Sequence, residues 1–128
     1  MNLRDYIIKK LELKKLCQTG FYGVGKKIYF KFEGSIINHD NIDSILDKIS
    51  DCVNTSDFTK YKSIIVIGKT DELFKSKELL YFDNKNSFVV FYLINEENNT
   101  IYYNDFWIFA LGLNYRKYIK KLNKVIKL

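Results

Sequence analysis

The sequence contains no proline and only two arginines, Arg4 and Arg116, although lysine, isoleucine and asparagine are abundant. We interpret this composition as the coding bias of an AT-rich genome, so the number of lysines alone is a weak indicator of function. The chain also lacks an apolar run of about 18 residues, the length that a membrane-spanning helix requires. The sequence therefore predicts no membrane span.

Histidine and cysteine are scarce, which limits the chemistry available to the side chains. Cys17 and Cys52 lie far apart and form no C-x-x-C pair, so we interpret them as small buried side chains in a reducing compartment. One histidine and two distant cysteines do not favour a structural zinc site. A catalytic triad or dyad would have to use His39, but this residue lies beside Asp40 before a predicted helix, where a cap or an exposed loop side chain is usual. We therefore predict no catalytic, cofactor-binding or metal-binding residue.

The first residues, MNLRDYIIKKLELKKL, carry charges throughout and lack the continuous apolar segment of a signal peptide. We therefore expect a cytosolic protein. The length of 128 residues is that of one ordinary domain, and 47% apolar residues with 16% aromatic residues are sufficient for a core. We expect residues 1–128 to form a single α+β domain.

Apolar periodicity predicts three helices and several strands. Helical spacing occurs over residues 3–17, with Gly20 as the stop signal, over residues 39–56, and from Tyr115 onward. Residues 69–77 are expected to hold one helical turn. Strands are predicted from an alternating pattern at 26–33, which indicates a half-buried strand, and from apolar runs at 63–68, on both sides of a turn at 83–86, and at 100–103.

The order of these elements is helix, strand, helix, then strands, then helix. This order predicts an α+β fold with an antiparallel or mixed sheet of about four to five strands. The N-terminal, middle and C-terminal helices are expected to pack mainly on one face. The continuous apolar strands at 64–67 and 88–94 are expected to be central.

The stretch TGFYGVGKKIYF resembles a phosphate-binding loop because Gly20, Gly25 and Lys26 have the spacing of that motif. Lys27, however, replaces the serine or threonine that would bind magnesium. A phosphate-binding loop also needs a helix to begin directly after it, whereas a strand is predicted here. We interpret the glycines as turn residues and predict no nucleotide site.

A metal-dependent nuclease remains a third hypothesis. Some nucleases hold magnesium with one acid and a separated D/E-x-K pattern, and Asp71 followed by Asp83-Asn84-Lys85 fits that pattern. The last three residues also lie in a predicted hairpin turn, where aspartate and asparagine are expected for local hydrogen bonding. The turn interpretation is the simpler one.

The net charge of +6 is located in the C-terminal segment. All 15 acidic residues lie at or before Asp105, and the first 115 residues have balanced charges. This segment predicts a helix with a basic face that binds an anionic partner or is only solvated. The six cations are Arg116, Lys117, Lys120, Lys121, Lys124 and Lys127.

Tyrosines on a sheet face are a second candidate for binding. Tyr29, Tyr102 and Tyr103, if exposed, would stack nucleic-acid bases or contact a protein partner. The leading hypothesis from the sequence is a non-catalytic binding protein that acts through a protein partner, of the accessory, inhibitor, immunity or antitoxin type. The alternative is a nucleic-acid-binding protein that uses the basic C-terminal helix.

Overall fold

The structure, a computed structural model, describes residues 2–15, 18–23, 28–48, 63–82, 88–104 and 113–126. Three α-helices lie in these ranges: α1 (Leu3–Lys10), α2 (Ile42–Asp47) and α3 (Leu113–Val125). A 3-10 turn spans Ser76–Leu79. The strands are β1 (Leu13–Lys15), β2 (Gly20–Gly23), β3 (Ile28–Phe32), β4 (Ser63–Lys69), β5 (Leu80–Phe82), β6 (Phe88–Asn95) and β7 (Thr100–Tyr102).

The strands of the described residues form one mixed sheet of seven strands in the order β1-β2-β3-β4-β6-β5, with β7 paired to β6. β3, β4 and β6 are parallel to one another, and the remaining pairs are antiparallel. The predicted α+β class is confirmed, with more strands than the expected four to five. The central positions predicted for residues 64–67 and 88–94 are also confirmed.

Helices cover both faces of the sheet. α1 and α3 pack on one face, where Ile7, Tyr118 and Leu122 join the inward side chains of the strands. α2 and the segment around Phe74 pack on the opposite face. The position of α2 follows from the parallel pairing of β3 and β4, because a crossover connection must run over one face of the sheet.

β3 is more deeply buried than its sequence predicts. Alternation predicted a half-buried strand, but all five residues of β3 are buried because β2 and β4 flank it and both faces are covered. Lys31 is buried among them, and its Nζ donates a hydrogen bond of 2.7 Å to the carbonyl oxygen of Lys48, the residue that ends α2. This ammonium group satisfies a carbonyl that the helix leaves unpaired.

α1 is shorter than predicted. The helix expected over residues 3–17 ends at Lys10, and Gly20 lies inside β2 rather than at a helix stop. Glu12 has a φ of 55°, a left-handed conformation that reverses the chain. β1 then places Leu13 in the core by pairing with β2.

Several other predictions can be compared with the described residues. The helical turn expected within residues 69–77 lies later in the chain, as the 3-10 turn at Ser76–Leu79, and overlaps the expected range only at residues 76 and 77. The strands on both sides of residues 83–86 form the antiparallel pair β5–β6. The turn itself, Cys17, Cys52 and the second half of the predicted middle helix lie outside the described residues. No helix within the described ranges is long and apolar enough to cross a membrane.

Gly23 shows how closely α3 packs on the sheet. A Cβ added to Gly23 would lie 2.0 Å from the hydroxyl oxygen of Tyr118 and 2.7 Å from its ring carbon Cζ. Because the Tyr118 ring is buried against Phe30 at a centroid distance of 5.0 Å, it has little room to move. We expect Gly23→Ala to lower the free energy of unfolding by about 1–3 kcal/mol, the usual cost of overpacking.

Chemical denaturation of the two purified proteins measures this change. Gly34→Ala is the matched control, since a Cβ added there meets no atom within 4 Å. Its free energy of unfolding should stay unchanged or rise slightly. Equal stability of Gly23→Ala and Gly34→Ala would contradict the packing of Tyr118 against β2.

Candidate functional site

The carboxyl ends of β3, β4 and β6 meet at one edge of the sheet because these strands are parallel. We define the carboxyl edge as residues 33–41, 69–79 and 95–99. Backbone hydrogen bonds connect these segments to the neighbouring strands: Ile37 N donates to Lys69 O at 2.8 Å, and Thr70 N donates to Ile94 O at 3.0 Å. In sheets with parallel strands, ligands commonly bind outside this edge.

His39 links two loops of the carboxyl edge. Its Nδ1 lies 2.7 Å from Oε1 of Glu72, and its Nε2 lies 3.1 Å from Oε2 of Glu78. The backbone N–H of His39 also donates to Oε1 of Glu72 at 2.7 Å. The imidazole ring stacks on Phe74 with a centroid distance of 4.1 Å and an interplanar angle of 16°.

His39, Glu72 and Glu78 stabilise one another's charged forms. The hydrogen bond that the His39 side chain donates to the carboxylate of Glu72 is the main cause that raises the pKa of His39 above its ordinary value of 6.5. The pKa of Glu72 is lowered mainly by the backbone N–H of His39, and the pKa of Glu78 is lowered mainly by the backbone N–H of Lys75. The imidazolium form of His39 therefore bridges two carboxylates.

The pH range of this cross-link follows from the directions of the pKa shifts. The contribution of His39 to stability is complete below 6.5 and is lost as the pH rises through the raised pKa of the folded state. The contributions of Glu72 and Glu78 are complete above their ordinary value of 4.5 and are lost as the pH falls through their lowered pKa values. The cross-link is thus strongest between these limits.

The arrangement of His39 is that of a structural cross-link. The predicted exposed loop position of His39 is confirmed, since its side chain is 44% exposed. Both ring nitrogens already face carboxylates, and the described residues include no group of three or more histidine, cysteine or acidic side chains that could hold a metal ion. The partners Glu72 and Glu78 were missed from the sequence, although both follow a strand parallel to β3.

Leu73 is the most exposed large apolar side chain in the described residues, at 72%. Its neighbours hold the loop in place: Glu72 belongs to the His39 cross-link, and Phe74 is buried. The carbonyl oxygen of Glu72 also accepts a hydrogen bond from Asn95 Nδ2 at 3.1 Å. Leu73 is therefore an apolar side chain presented to solvent by a well-connected loop.

The carboxyl edge is acidic. Its three segments contain seven acidic residues and three lysines. Lys69 is paired with Glu96 at 2.8 Å, which neutralises one of these lysines. This surface therefore has the opposite sign to α3.

A cavity of about 360 Å³ lies beneath α1 at the same edge. We call it the α1 cavity. Its walls are mainly apolar, and Arg4, Glu33 and Lys69 add charged groups. The other lining residues are Leu3, Ile7, Thr19, Phe32, Gly34, Ile36, Ile67, Gly68 and Ile94.

The basic helix predicted at the C-terminus is present as α3. Tyr115, Ile119 and Leu122 form its buried side. The predicted cations fall into three groups: Lys117, Lys120 and Lys124 are exposed, Arg116 and Lys121 are partly buried, and Lys127 lies outside the described residues. The ammonium group of Lys121 interacts with an aromatic ring of the same helix, because its Nζ lies 5.6 Å from the centre of the Tyr118 ring.

The predicted tyrosines do not form an exposed platform. Tyr29 is fully buried beneath α2, so the condition of exposure fails for this residue. Tyr102 is partly buried, and its hydroxyl accepts a hydrogen bond from Asn98 at 2.9 Å. Tyr103 is also partly buried, and it stacks on Tyr92 with a centroid distance of 5.6 Å.

Two further sequence candidates are the acidic residues of the nuclease hypothesis and the stretch that resembles a phosphate-binding loop. Asp71 is exposed next to Glu72, whereas Asp83-Asn84-Lys85 lies outside the described residues. The stretch that resembles a phosphate-binding loop belongs to an antiparallel pair of strands. Gly20 lies in β2, and the next described element is β3, which pairs with β2. Among the described residues, the element that follows is a strand, whereas a phosphate site of this kind needs the start of a helix.

Comparisons with known proteins found no matching family, no similar curated protein and no similar solved structure. The geometry and charge of the chain itself are therefore the basis for assigning a function.

The titration of His39 tests the cross-link directly, because this is the single histidine of the chain. We expect its NMR titration midpoint to lie above 6.5. Glu72→Gln should lower the midpoint more than Glu78→Gln, since the Glu72 hydrogen bond is the largest cause of the shift. Glu96→Gln is the control, because Glu96 pairs with Lys69. A midpoint that ignores the Glu72 substitution would contradict the geometry.

Proposed function

We propose that the protein is a non-catalytic binding protein that acts through another protein, in the manner of an inhibitor or immunity protein, and that the carboxyl edge is its contact surface. The observation that carries this proposal is Leu73, 72% exposed on a loop that hydrogen bonds hold in place. Burial of such an exposed apolar side chain by a partner removes apolar surface from water, which favours association.

The connections around Leu73 support an interface role. A loop that is already ordered loses little conformational entropy when it binds, which favours affinity. The His39 cross-link, the stacked Phe74 ring and the Asn95 hydrogen bond supply this order. Ile36, 47% exposed on the neighbouring loop, adds a second apolar side chain to the same edge.

The acidic character of the edge indicates the kind of partner. Seven acidic residues against three lysines favour a partner with a basic contact surface. The same charges repel a phosphate backbone, so this edge does not favour nucleic acid. An acidic edge with an apolar anchor fits an inhibitor of a basic protein.

A pull-down with tagged full-length protein from nuclease-treated lysate tests the proposal. We expect a stoichiometric basic protein whose affinity falls by about tenfold or more with Leu73→Ser, because burial of a leucine side chain contributes about 1.5–3 kcal/mol and about 1.4 kcal/mol corresponds to a factor of ten. The substitution should leave thermal stability unchanged, because Leu73 is largely exposed. Isothermal titration with the purified partner then measures the affinity.

Tyr6→Ser is the matched control, since Tyr6 is 38% exposed on α1 and lies outside the carboxyl edge. Its affinity for the partner should equal that of the unchanged protein. Exchanging Asp71 and Glu97 for lysine should slow association at low salt. Capture that is unaffected by Leu73→Ser, or the absence of a stoichiometric protein, would overturn the assignment of this surface.

Binding of nucleic acid by α3 is the second candidate. The exposed side chains of Lys117, Lys120 and Lys124 favour it, because they share one helix that contains no acidic residue. Contact with a phosphate backbone requires only such charges and gives binding without base specificity. Arg116 is the single arginine of the helix, which does not favour recognition of bases.

The salt dependence of DNA binding tests this second candidate. If α3 contacts duplex DNA, replacing Lys117, Lys120 and Lys124 by glutamine should reduce the slope of log K against log salt by about 0.9 for each phosphate that a lysine no longer neutralises. Fluorescence anisotropy with a labelled duplex measures the slope. Lys75→Gln with Lys77→Gln is the control, since both lysines are exposed at the carboxyl edge. An unchanged slope in the α3 variant would exclude α3 as the contact.

A further inference from the structure

The two contacts of the His39 ring require a protonated imidazole. Nδ1 and Nε2 each face a carboxylate oxygen, at 2.7 Å from Glu72 and 3.1 Å from Glu78. An ionised carboxylate only accepts hydrogen bonds, and a neutral imidazole donates from one nitrogen and carries a lone pair on the other. Only the imidazolium form therefore donates to both carboxylates, so the His39 cross-link contains a proton that a neutral ring lacks.

The contact with Glu78 is the one that loss of this proton breaks. Oε1 of Glu72 also accepts the backbone N–H of His39 at 2.7 Å, which holds this carboxylate beside Nδ1 in either form of the ring. The ring proton that remains is therefore the one on Nδ1. The lone pair of Nε2 then faces Oε2 of Glu78, and two acceptors form no hydrogen bond.

The stacking of His39 on Phe74 responds to the same proton. The two rings lie 4.1 Å apart and nearly parallel, and a cationic ring is attracted to an aromatic face more strongly than a neutral one. Leu73 precedes Phe74 in the chain, so both weakened contacts belong to the loop that carries it. The hydrogen bond from Asn95 to the carbonyl oxygen of Glu72 does not involve the ring, so the loop stays attached to the sheet.

Charged groups from several segments surround this ring. Glu72 and Glu78 act on His39 directly, and the backbone N–H and the charge of Lys75 act on Glu78. The contact with Glu78 is present below the raised pKa of His39 and is lost as the pH rises through it. The other charged residues of these segments and of the start of α2 are exposed: Asp40, Asp43, Asp71 and Lys77.

We propose that the His39 cross-link is a proton-dependent switch of the carboxyl edge. Protonated His39 ties the loop after β3 to the 3-10 turn, and loss of the proton opens the contact with Glu78 and loosens the loop that carries Leu73. This switch is a property of the free protein. Weaker binding of a partner in the open form is a consequence that rests on the proposed function, because a loosened loop loses more entropy on binding.

Carbon-13 relaxation of the free, full-length protein tests the switch, because a Cα–H bond does not exchange with water at high pH as an amide N–H does. We expect the order parameter of the Leu73 Cα–H bond to fall from about 0.85, typical of rigid backbone, toward about 0.6, typical of flexible backbone, between a pH of about 6 and a pH of about 9. The midpoint of this fall should equal the midpoint of the His39 ring, followed in the same samples.

Glu78→Gln separates the switch from the titration of His39. Oε1 of Glu78 accepts the backbone N–H of Lys75 at 2.8 Å, and the amide oxygen of glutamine can replace it there. The amide N–H₂ then donates to the neutral Nε2, so this variant keeps the contact at high pH. The order parameter of Leu73 should stay near its rigid value, although His39 still titrates.

Glu96→Gln is the matched control, because it removes a carboxylate that pairs with Lys69 at the same edge. This variant should show the same fall as the unchanged protein. An equal fall in Glu78→Gln and Glu96→Gln would contradict the switch.

The unchanged protein keeps the test decisive if a variant does not fold. A Leu73 order parameter that is the same at both pH values, or that falls with a midpoint different from that of His39, would also overturn the proposal. Capture of a protein partner bears on the proposed function alone, so the two proposals can fail separately.

Discussion

The parallel pairing of β4 with β3 and β6 is the constraint on which the rest of the structure depends. β4 pairs along Ser63–Ile67 with β3 and along Ser63–Lys69 with β6. Because both connections cross the same face, α2 and Phe74 cover that face, and α1 and α3 cover the other. The same pairing brings three strand ends, and the loops that leave them, to one edge of the sheet.

Elements whose own residues define their environment could be predicted from the sequence. The apolar runs of β4 and β6 indicate burial on both faces, and both strands are central. α3 likewise shows its buried side in its spacing. α1 could not be delimited in this way, because Leu13 satisfies helical spacing and also fits a strand. The pairing of Leu13 with Gly23 places Leu13 in a strand and not in the helix. Apolar periodicity contains no information on that pairing.

The contacts of the carboxyl edge depend on the topology of the sheet, so they could not be predicted from the sequence. His39 contacts Glu72 and Glu78 across 33 and 39 residues. The basic end of the chain is visible as a continuous segment, whereas the acidic edge is assembled from three separate loops. The burial of Tyr29 also depends on topology. The alternating pattern predicted that Tyr29 lies on the solvent side of its strand, but the crossover connection that contains α2 covers that side and buries it. Burial depends on which element covers a face.

The register of the sheet has a consequence for the order of folding. β2 and β3 pair through nearby residues such as Tyr22 and Tyr29, whereas the pairing of β3 with β4 must join Ile28 to Ser63. Closing the longer loop costs more chain entropy and slows the formation of such contacts. We therefore expect the hairpins to form before the parallel core. The carboxyl edge needs β3, β4 and β6 paired together, so on this order it would be complete only in chains whose long-range pairing has formed.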